Sequence, residues 1–276
     1  MAASLDKTEI INGLPAWLTG EIASVIAQRE AKGPPTGYWG EPLAAVASAD
    51  DPLFARLREV VDPEHAMPSD LLPSAQSVVV YFLPFRRWLG KENSLSGEFA
   101  SRGWAEAYVA TNRMIADVNA RLKAKLREEG FDAVETPATH NFDEVKLVSR
   151  WSHKHLGYIA GLGTFGVHHL LITRAGCCGR LGSLVTDMPI PATPRPEEEW
   201  CLAKAGFTCS ACVKKCVYGA LRTGGFDRTA CYAQCLRTDA YYSDLPLVDV
   251  CGKCGCEAPC SHGIPPRKAA GRGAGE

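Results

Sequence analysis

Residues 15–32 carry Trp17, Leu18, Ile22, Val25 and Ile26 at helical spacing. This predicts an amphipathic helix stopped by Gly33, Pro34 and Pro35. A second, shorter helix is expected over residues 52–61. Residues 74–83 hold the run VVVYFL between Pro73 and Pro84, which reads as a buried strand. A long helix is expected over 97–130, its apolar stripe formed by Val109, Met114, Ile115, Val118, Leu122 and Leu126, with Gly130 as its C-cap. Residues 132–136 form a candidate strand, and residues 146–160 look helical. Strands 170–173 and 183–186 are expected to pair across a turn at 176–180, the first of them beginning at His168 and His169. Helix and strand thus alternate over residues 1–195, which implies an α/β or α+β domain. Four prolines between 189 and 196, then three glutamates, mark a linker.

Residues 196–265 differ in kind. Ten of the twelve cysteines fall between Cys201 and Cys260. Thiolates are soft ligands that select zinc, copper(I) or iron–sulfur clusters. Cys209, Cys212 and Cys216, followed by a second group at Cys231, Cys251, Cys254 and Cys260, match the spacing of bacterial two-cluster ferredoxins, in which the last cysteine of each run ligates the other cluster. That crossover assigns Cys201, Cys209, Cys212 and Cys260 to one [4Fe–4S] cluster. It assigns Cys231, Cys251, Cys254 and Cys216 to the other. Cys201 lies eight residues before Cys209 rather than three, and Val217 stands where a proline usually follows. Cys235 and Cys256 are spares that could replace Cys231 or Cys260. Zinc sites and disulfides are the other uses of such thiols.

The chain has 276 residues, a net charge of −1 and 46% hydrophobic content. This suits two domains and argues against a general nucleic-acid-binding surface. The N-terminus shows no signal pattern and no apolar run reaches the length of a membrane span, so a cytoplasmic protein is expected, with a disordered tail over 266–276.

Gly161, Gly163 and Gly166 satisfy the dinucleotide spacing, but the order is helix, glycines, strand, so close backbone packing or approach to a cofactor is the better reading. Trp151, His153 and His155 precede that block; the histidines read as surface or supporting groups. Cys177 and Cys178 read as packing residues or neighbours of a cofactor.

The block AGLGTFGVHHLLIT at 160–173, then GSLVTDMPIP at 182–191, then the cysteines, resembles epoxyqueuosine reductase. Leu72-Pro73, the segment from Ser101 to Arg113, and Asp227 to Cys231 match that family in the same order. The resemblance implies a nitroreductase-like cobalamin-binding domain followed by a ferredoxin-like double [4Fe–4S] domain, as also in the related reductive dehalogenases. It implies base-off cobalamin lined by Gly161, Gly163, Gly166, His168 and Leu170. Electrons would come from an external ferredoxin or flavodoxin and pass to a small or nucleoside-like substrate. The family's catalytic aspartate falls at Leu147 here, four residues after Asp143. Asp143 is therefore the expected proton donor, its pKa raised by burial, with Tyr108 as the alternative. The family's C-terminal helical repeats are missing after the cysteines, which argues against a tRNA substrate. A corrinoid-processing protein, or a plain two-cluster electron carrier, is the alternative to the reductase.

Overall fold

The structure is a computed structural model and describes residues 10–11, 14–31, 37–136 and 142–267. It divides into two compact units, neither continuous in sequence. The first comprises residues 1–83, 112–162 and 181–195; the second comprises 84–111, 163–180 and 196–276.

In chain order the elements begin with a small hairpin, β1 (Ile10–Ile11) and β2 (Leu14–Pro15), then α1 (Ala16–Ala31). Next come β3 (Leu43–Ser48), α2 (Leu53–Val60), α3 (Pro68–Leu71), β4 (Ser77–Pro84), α4 (Arg87–Leu95) and α5 (Arg102–Glu128). They are followed by β5 (Ala133–Glu135), the hairpin β6 (Phe142–Asp143) and β7 (Val148–Ser149), and α6 (His153–Ile159). Strands β8 (Gly163–Phe165), β9 (Leu171–Thr173) and β10 (Gly179–Thr186) come next. The cysteine-rich part contributes α7 (Ala211–Lys214), β11 (Leu221–Arg222), β12 (Gly225–Phe226), α8 (Arg228–Tyr241) and a 3-10 turn at Lys253–Gly255. The chain is thus mixed α/β, as expected. Among the described residues no helix is long and apolar enough to cross a membrane.

The first unit is built on a four-stranded sheet in the order β3-β4-β10-β5. All eight residues of β4 are buried, so this strand is covered on both faces and needs no polar alternation. Each fully buried Val or Leu there is worth about 1.5–3 kcal/mol relative to exposure. Several polar groups inside the unit pair with one another. The Tyr81 hydroxyl donates to Asn119 Oδ1 at 2.8 Å, and Asn119 Nδ2 donates to the Thr136 carbonyl at 3.1 Å. Trp151 Nε1 donates to Ser183 Oγ at 2.9 Å, and His153 Nδ1 lies 3.0 Å from the same hydroxyl. His155 meets Ser152 at 2.8 Å. The aromatic and histidine-rich segment before the glycine block therefore ties α6 to the sheet.

Several expectations are corrected. The helix expected over 146–160 shrinks to α6. Asp143 closes a hairpin turn by accepting the N–H groups of Val145 and Lys146, both at 2.8 Å, and Leu147 adopts φ 55° in that turn. Strand β9 does not pair with β10; it pairs with β8, while β10 runs between β4 and β5. The turn that redirects the chain is local: Thr173 Oγ1 donates to the Gly176 carbonyl at 2.8 Å, and Gly176 has φ 88°. His168 and His169 do not open a strand but lie in the preceding turn, His169 at φ 61°. Strand β3 and helix α4 carry too few β-branched residues and too plain a periodicity to stand out. The helix stop at 33–35 and residues 268–276 of the tail lie outside the described residues.

Two measurements check this packing. A Cβ on Gly163 would lie 1.9 Å from the Ile172 carbonyl oxygen, whereas one on Gly20, within α1, meets nothing within 4 Å. Gly163→Ala should lower stability by on the order of 3 kcal/mol, and Gly20→Ala should raise it by about 0.5–1 kcal/mol, both read by thermal unfolding. The second concerns His65, which is fully buried, donates from Nδ1 to the Ala66 carbonyl at 2.9 Å and accepts the Ser152 N–H at Nε2 at 3.1 Å. Burial holds its pKa below the ordinary 6.5. Below pH 6.5 the unfolded chain takes up a proton that the folded chain refuses, so this group's contribution is full above pH 6.5 and falls as pH drops towards the folded value. The unfolding temperature of His65→Gln should therefore depend less on pH between 7 and 5 than that of the wild type. Equal slopes would contradict this.

Candidate functional site

The cysteines of the second unit are carried by short, stiff pieces rather than long elements. Cys212 sits in α7, Cys209 just before it and Cys216 just after. Cys231 and Cys235 lie four residues apart on α8, whose start is capped by Asp227 accepting the Ala230 N–H at 2.9 Å. Cys254 lies in the 3-10 turn, entered through Gly252 at φ 72°. A Cβ at Gly252 would lie 2.5 Å from the Trp104 ring, so glycine is required there on two counts. Ser261 Oγ donates to the Gly255 carbonyl at 2.6 Å and closes the loop that carries Cys260.

The expected assignment divides eight thiols into two foursomes, of which the first shares a pocket and the second also has Cys235 beside Cys231 and Cys251. Cys201, Cys209, Cys212 and Cys260 line one pocket together with Val167, His168 and Leu202. Burial pushes the Cys212 thiol up to about 11, and the neighbours that add to the rise are Cys260, Cys201 and Cys209. Cys254 is raised first by burial and then by Cys251, Cys231 and Cys216, with Cys212 of the first foursome adding last. Cys251 is raised by burial first, with Cys231 and Cys216 adding to it. Thiols gathered in this way resist ionising unless a cation neutralises them.

The spacing of the sulfurs also matters. A single tetrahedral zinc with bonds of about 2.3 Å brings its ligand sulfurs to about 3.8 Å of one another. Among the described residues, one trio has its ligand atoms within 4.8 Å: His168, Cys177 and Cys260. It takes one member from the first foursome and none from the second. Both foursomes are thus wider than a mononuclear site, and the donor set fits polynuclear centres.

The other cysteines have partners of their own. Cys256 is fully buried; it receives Asn93 Nδ2 at 3.4 Å and donates to the Gly252 carbonyl at 3.2 Å. Cys178 donates to the Gly255 carbonyl at 3.1 Å, and Cys177 makes a longer contact to it at 3.6 Å. The Cys235 thiol is raised first by its hydrogen bond with Cys231 and then by burial.

Lys253 and Asp249 had no signal in the sequence beyond their nearness to cysteines, and Asn93 had none. Lys253 is 3% exposed and donates to the Asn93 carbonyl at 2.7 Å and to Ser96 Oγ at 2.8 Å. Its burial lowers its pKa, while Cys251 and Cys256 oppose that effect. Asn93 also donates to the Cys251 carbonyl at 2.9 Å. Tyr108, 6% exposed, donates to Asp249 Oδ1 at 2.5 Å, and the Arg180 guanidinium lies 4.2 Å over the Tyr108 ring.

The two expected proton donors therefore differ. Asp143 is not an acid raised by burial: the N–H groups of Lys146 and Val145 hold its carboxyl below the usual range. Tyr108 is buried and hydrogen-bonded to a carboxylate.

The five residues expected to line a corrin are spread over both units, with Gly161 in the first and the others in the second. The space beside each glycine belongs to this chain. A Cβ would meet the Pro194 carbonyl at 2.7 Å from Gly161, the Ile172 carbonyl at 1.9 Å from Gly163 and the His168 ring at 2.4 Å from Gly166. Leu170 packs with Cys177 and Cys201, and His168 lines the pocket of the first foursome. On the side where a Cβ would stand, these glycines serve chain packing.

No protein-family model and no curated protein matches the chain. Solved structures do. An epoxyqueuosine reductase from Streptococcus thermophilus matches with a TM-score of 0.52 at 16% identity, covering 91% of this chain and 69% of its own. One from Bacillus subtilis, described with its catalytic aspartate loop swung out of the active site, matches with the same score and identity and 68% of its length. The catabolic reductive dehalogenase NpRdhA matches with a TM-score of 0.52 at 15% identity, over 80% of this chain and 30% of its own. The chain has the fold shared by epoxyqueuosine reductases and reductive dehalogenases, as the glycine block and cysteine spacing implied.

Proposed function

We propose that this protein is an iron–sulfur oxidoreductase holding two [4Fe–4S] clusters. Cys201, Cys209, Cys212 and Cys260 hold one; Cys216, Cys231, Cys251 and Cys254 hold the other. The observation that supports this reading is the pocket shared by Cys201, Cys209, Cys212 and Cys260, together with Cys251, Cys231 and Cys216 as the first thiol neighbours of Cys254. Apolar neighbours such as Ile172, Val167 and Leu170 keep water from Cys201. The buried Lys253 ammonium sets a positive charge beside the second foursome.

In this reading an external ferredoxin or flavodoxin supplies electrons to the clusters, the final acceptor is a small or nucleoside-like substrate, and base-off cobalamin would be the group held beside it. The cobalamin part rests on the family resemblance and the shared fold. A corrinoid, when bound, supplies the redox-active metal that meets the substrate. The chain's own contribution to that chemistry is a proton. Tyr108 Oη holds it, Asp249 orients the hydroxyl, and Arg180 over the ring face favours the negative charge left behind. The filled spaces beside Gly161, Gly163 and Gly166 favour a second reading, a two-cluster electron carrier that binds no corrinoid.

Anaerobically prepared protein should hold close to eight irons and eight acid-labile sulfides. Serine at Cys209, Cys212, Cys251 or Cys254 should remove about half of each, while Cys235→Ser and Cys256→Ser should retain all. Zinc in place of iron contradicts the reading. Added cobalamin should show a base-off absorption spectrum; no spectral change moves the function to the electron carrier.

The proton donor gives a separate test. Tyr108→Phe should leave iron content and cobalamin binding intact and abolish substrate reduction, whereas Asp143→Asn should remain active. The reverse result assigns the proton to Asp143.

A further inference from the structure

The geometry points to His168 as a positioning residue that sets the reduction potential of one cluster, through a hydrogen bond from its Nε2–H to the sulfur of Cys260. The inference rests on the cluster assignment above and concerns the one imidazole that reaches the first foursome's pocket. His168 is 4% exposed, and its Nε2 lies 3.4 Å from Cys260 Sγ. Its other ring nitrogen, Nδ1, receives the Leu170 N–H at 3.1 Å. A neutral imidazole has one donor and one acceptor nitrogen. Since Nδ1 accepts, the proton is on Nε2 and points at the sulfur.

The same assignment excludes the other use of the trio His168, Cys177 and Cys260, a mononuclear metal site. A metal-ligating histidine donates its remaining ring N–H to a carboxylate, a carbonyl or water. Here the remaining nitrogen accepts a backbone N–H, so Nε2 has a proton to give and no lone pair for a metal. The ring is also held in place. Gly166 lacks the Cβ that would stand 2.4 Å from Cε1 and 2.8 Å from Nδ1. The Gly166 N–H donates to the Leu170 carbonyl at 3.0 Å, and the His169 N–H donates to the Gly166 carbonyl at 3.0 Å, closing the turn around the ring. Glycine at 166 is thus the space into which the imidazole fits.

One-electron reduction adds negative charge to a cluster and its thiolates. A donor aimed at one of those sulfurs stabilises the reduced form and raises the potential; hydrogen bonds to the sulfurs are among the factors that set it. His168 would therefore make this the more easily reduced cluster than its ligands alone provide.

The test is a potentiometric titration of the full-length, cluster-loaded protein, followed by electron paramagnetic resonance. His168→Phe should keep the iron content and move one midpoint to a more negative potential, leaving the other in place. His168→Gln, which retains an N–H donor near the position of Nε2, should stay close to wild type. Gly166→Ala, which displaces the ring without changing its chemistry, should shift the same midpoint in the same direction as His168→Phe. Unchanged midpoints in both His168→Phe and Gly166→Ala, with iron retained, overturn the inference. Wild-type protein that binds no iron overturns the underlying cluster reading instead, before any potential is measured. If His168→Phe fails to hold iron, wild-type protein labelled with 15N-histidine decides. Weak nitrogen coupling to a reduced cluster, lost in His168→Gln, supports the hydrogen bond. Strong coupling typical of a bound nitrogen, or none, overturns it.

Discussion

The second unit is governed by the cost of gathering thiols near one another. Burial raises Cys212, Cys251 and Cys254, and neighbouring thiols add to the rise, so ionised ligands there need a cationic centre to take their charge. The surrounding residues fit that constraint. Trp104 packs on the glycine that starts the 3-10 turn, Ser261 pins the loop of Cys260, and Asn93 holds both the Cys251 carbonyl and the Cys256 sulfur. Lys253 brings the one cation of that turn, with its ammonium hydrogen-bonded to the chain around Asn93. These contacts fix the backbone that carries Cys251, Cys254 and Cys260.

Around that centre the chain separates two kinds of polar group. Groups that only hold the fold together are satisfied by backbone or by each other, as with Tyr81, Asn119, Thr136 and Ser183. Groups beside the cysteines have chemistry left to use: the Tyr108 hydroxyl against Asp249, and the His168 N–H against Cys260. The distinction favours Tyr108 as the acid of the proposed reaction over Asp143, which is engaged as the cap of a hairpin turn.

The sequence made the cysteine pattern legible because ligand spacing survives in one dimension. A thiol three residues from another in a tight turn can be read without knowing the fold. The same holds for α1, β4 and α5, whose apolar periodicity or continuous burial is local. The hairpin at 142–149 was hidden because one aspartate side chain, accepting two backbone N–H groups, overrode a helical pattern. The partner of β9 was hidden because a single turn at Gly176, forced by positive φ, sends the chain away from its neighbour in sequence. The glycine block was recognised, yet its reason lies in contacts with Pro194, Ile172 and His168 that only tertiary structure supplies. Lys253, Asp249 and the Cys260 contact of His168 left no periodic or spacing signal at all.

The account turns on where iron sits. An anaerobic crystal structure with anomalous density measured at the iron edge tests this most directly. It should show two four-iron centres, one bound by Cys201, Cys209, Cys212 and Cys260 and the other by Cys216, Cys231, Cys251 and Cys254, with His168 beside the first and not bonded to it. A single metal ion held by His168, Cys177 and Cys260, or iron on a different set of cysteines, would contradict it.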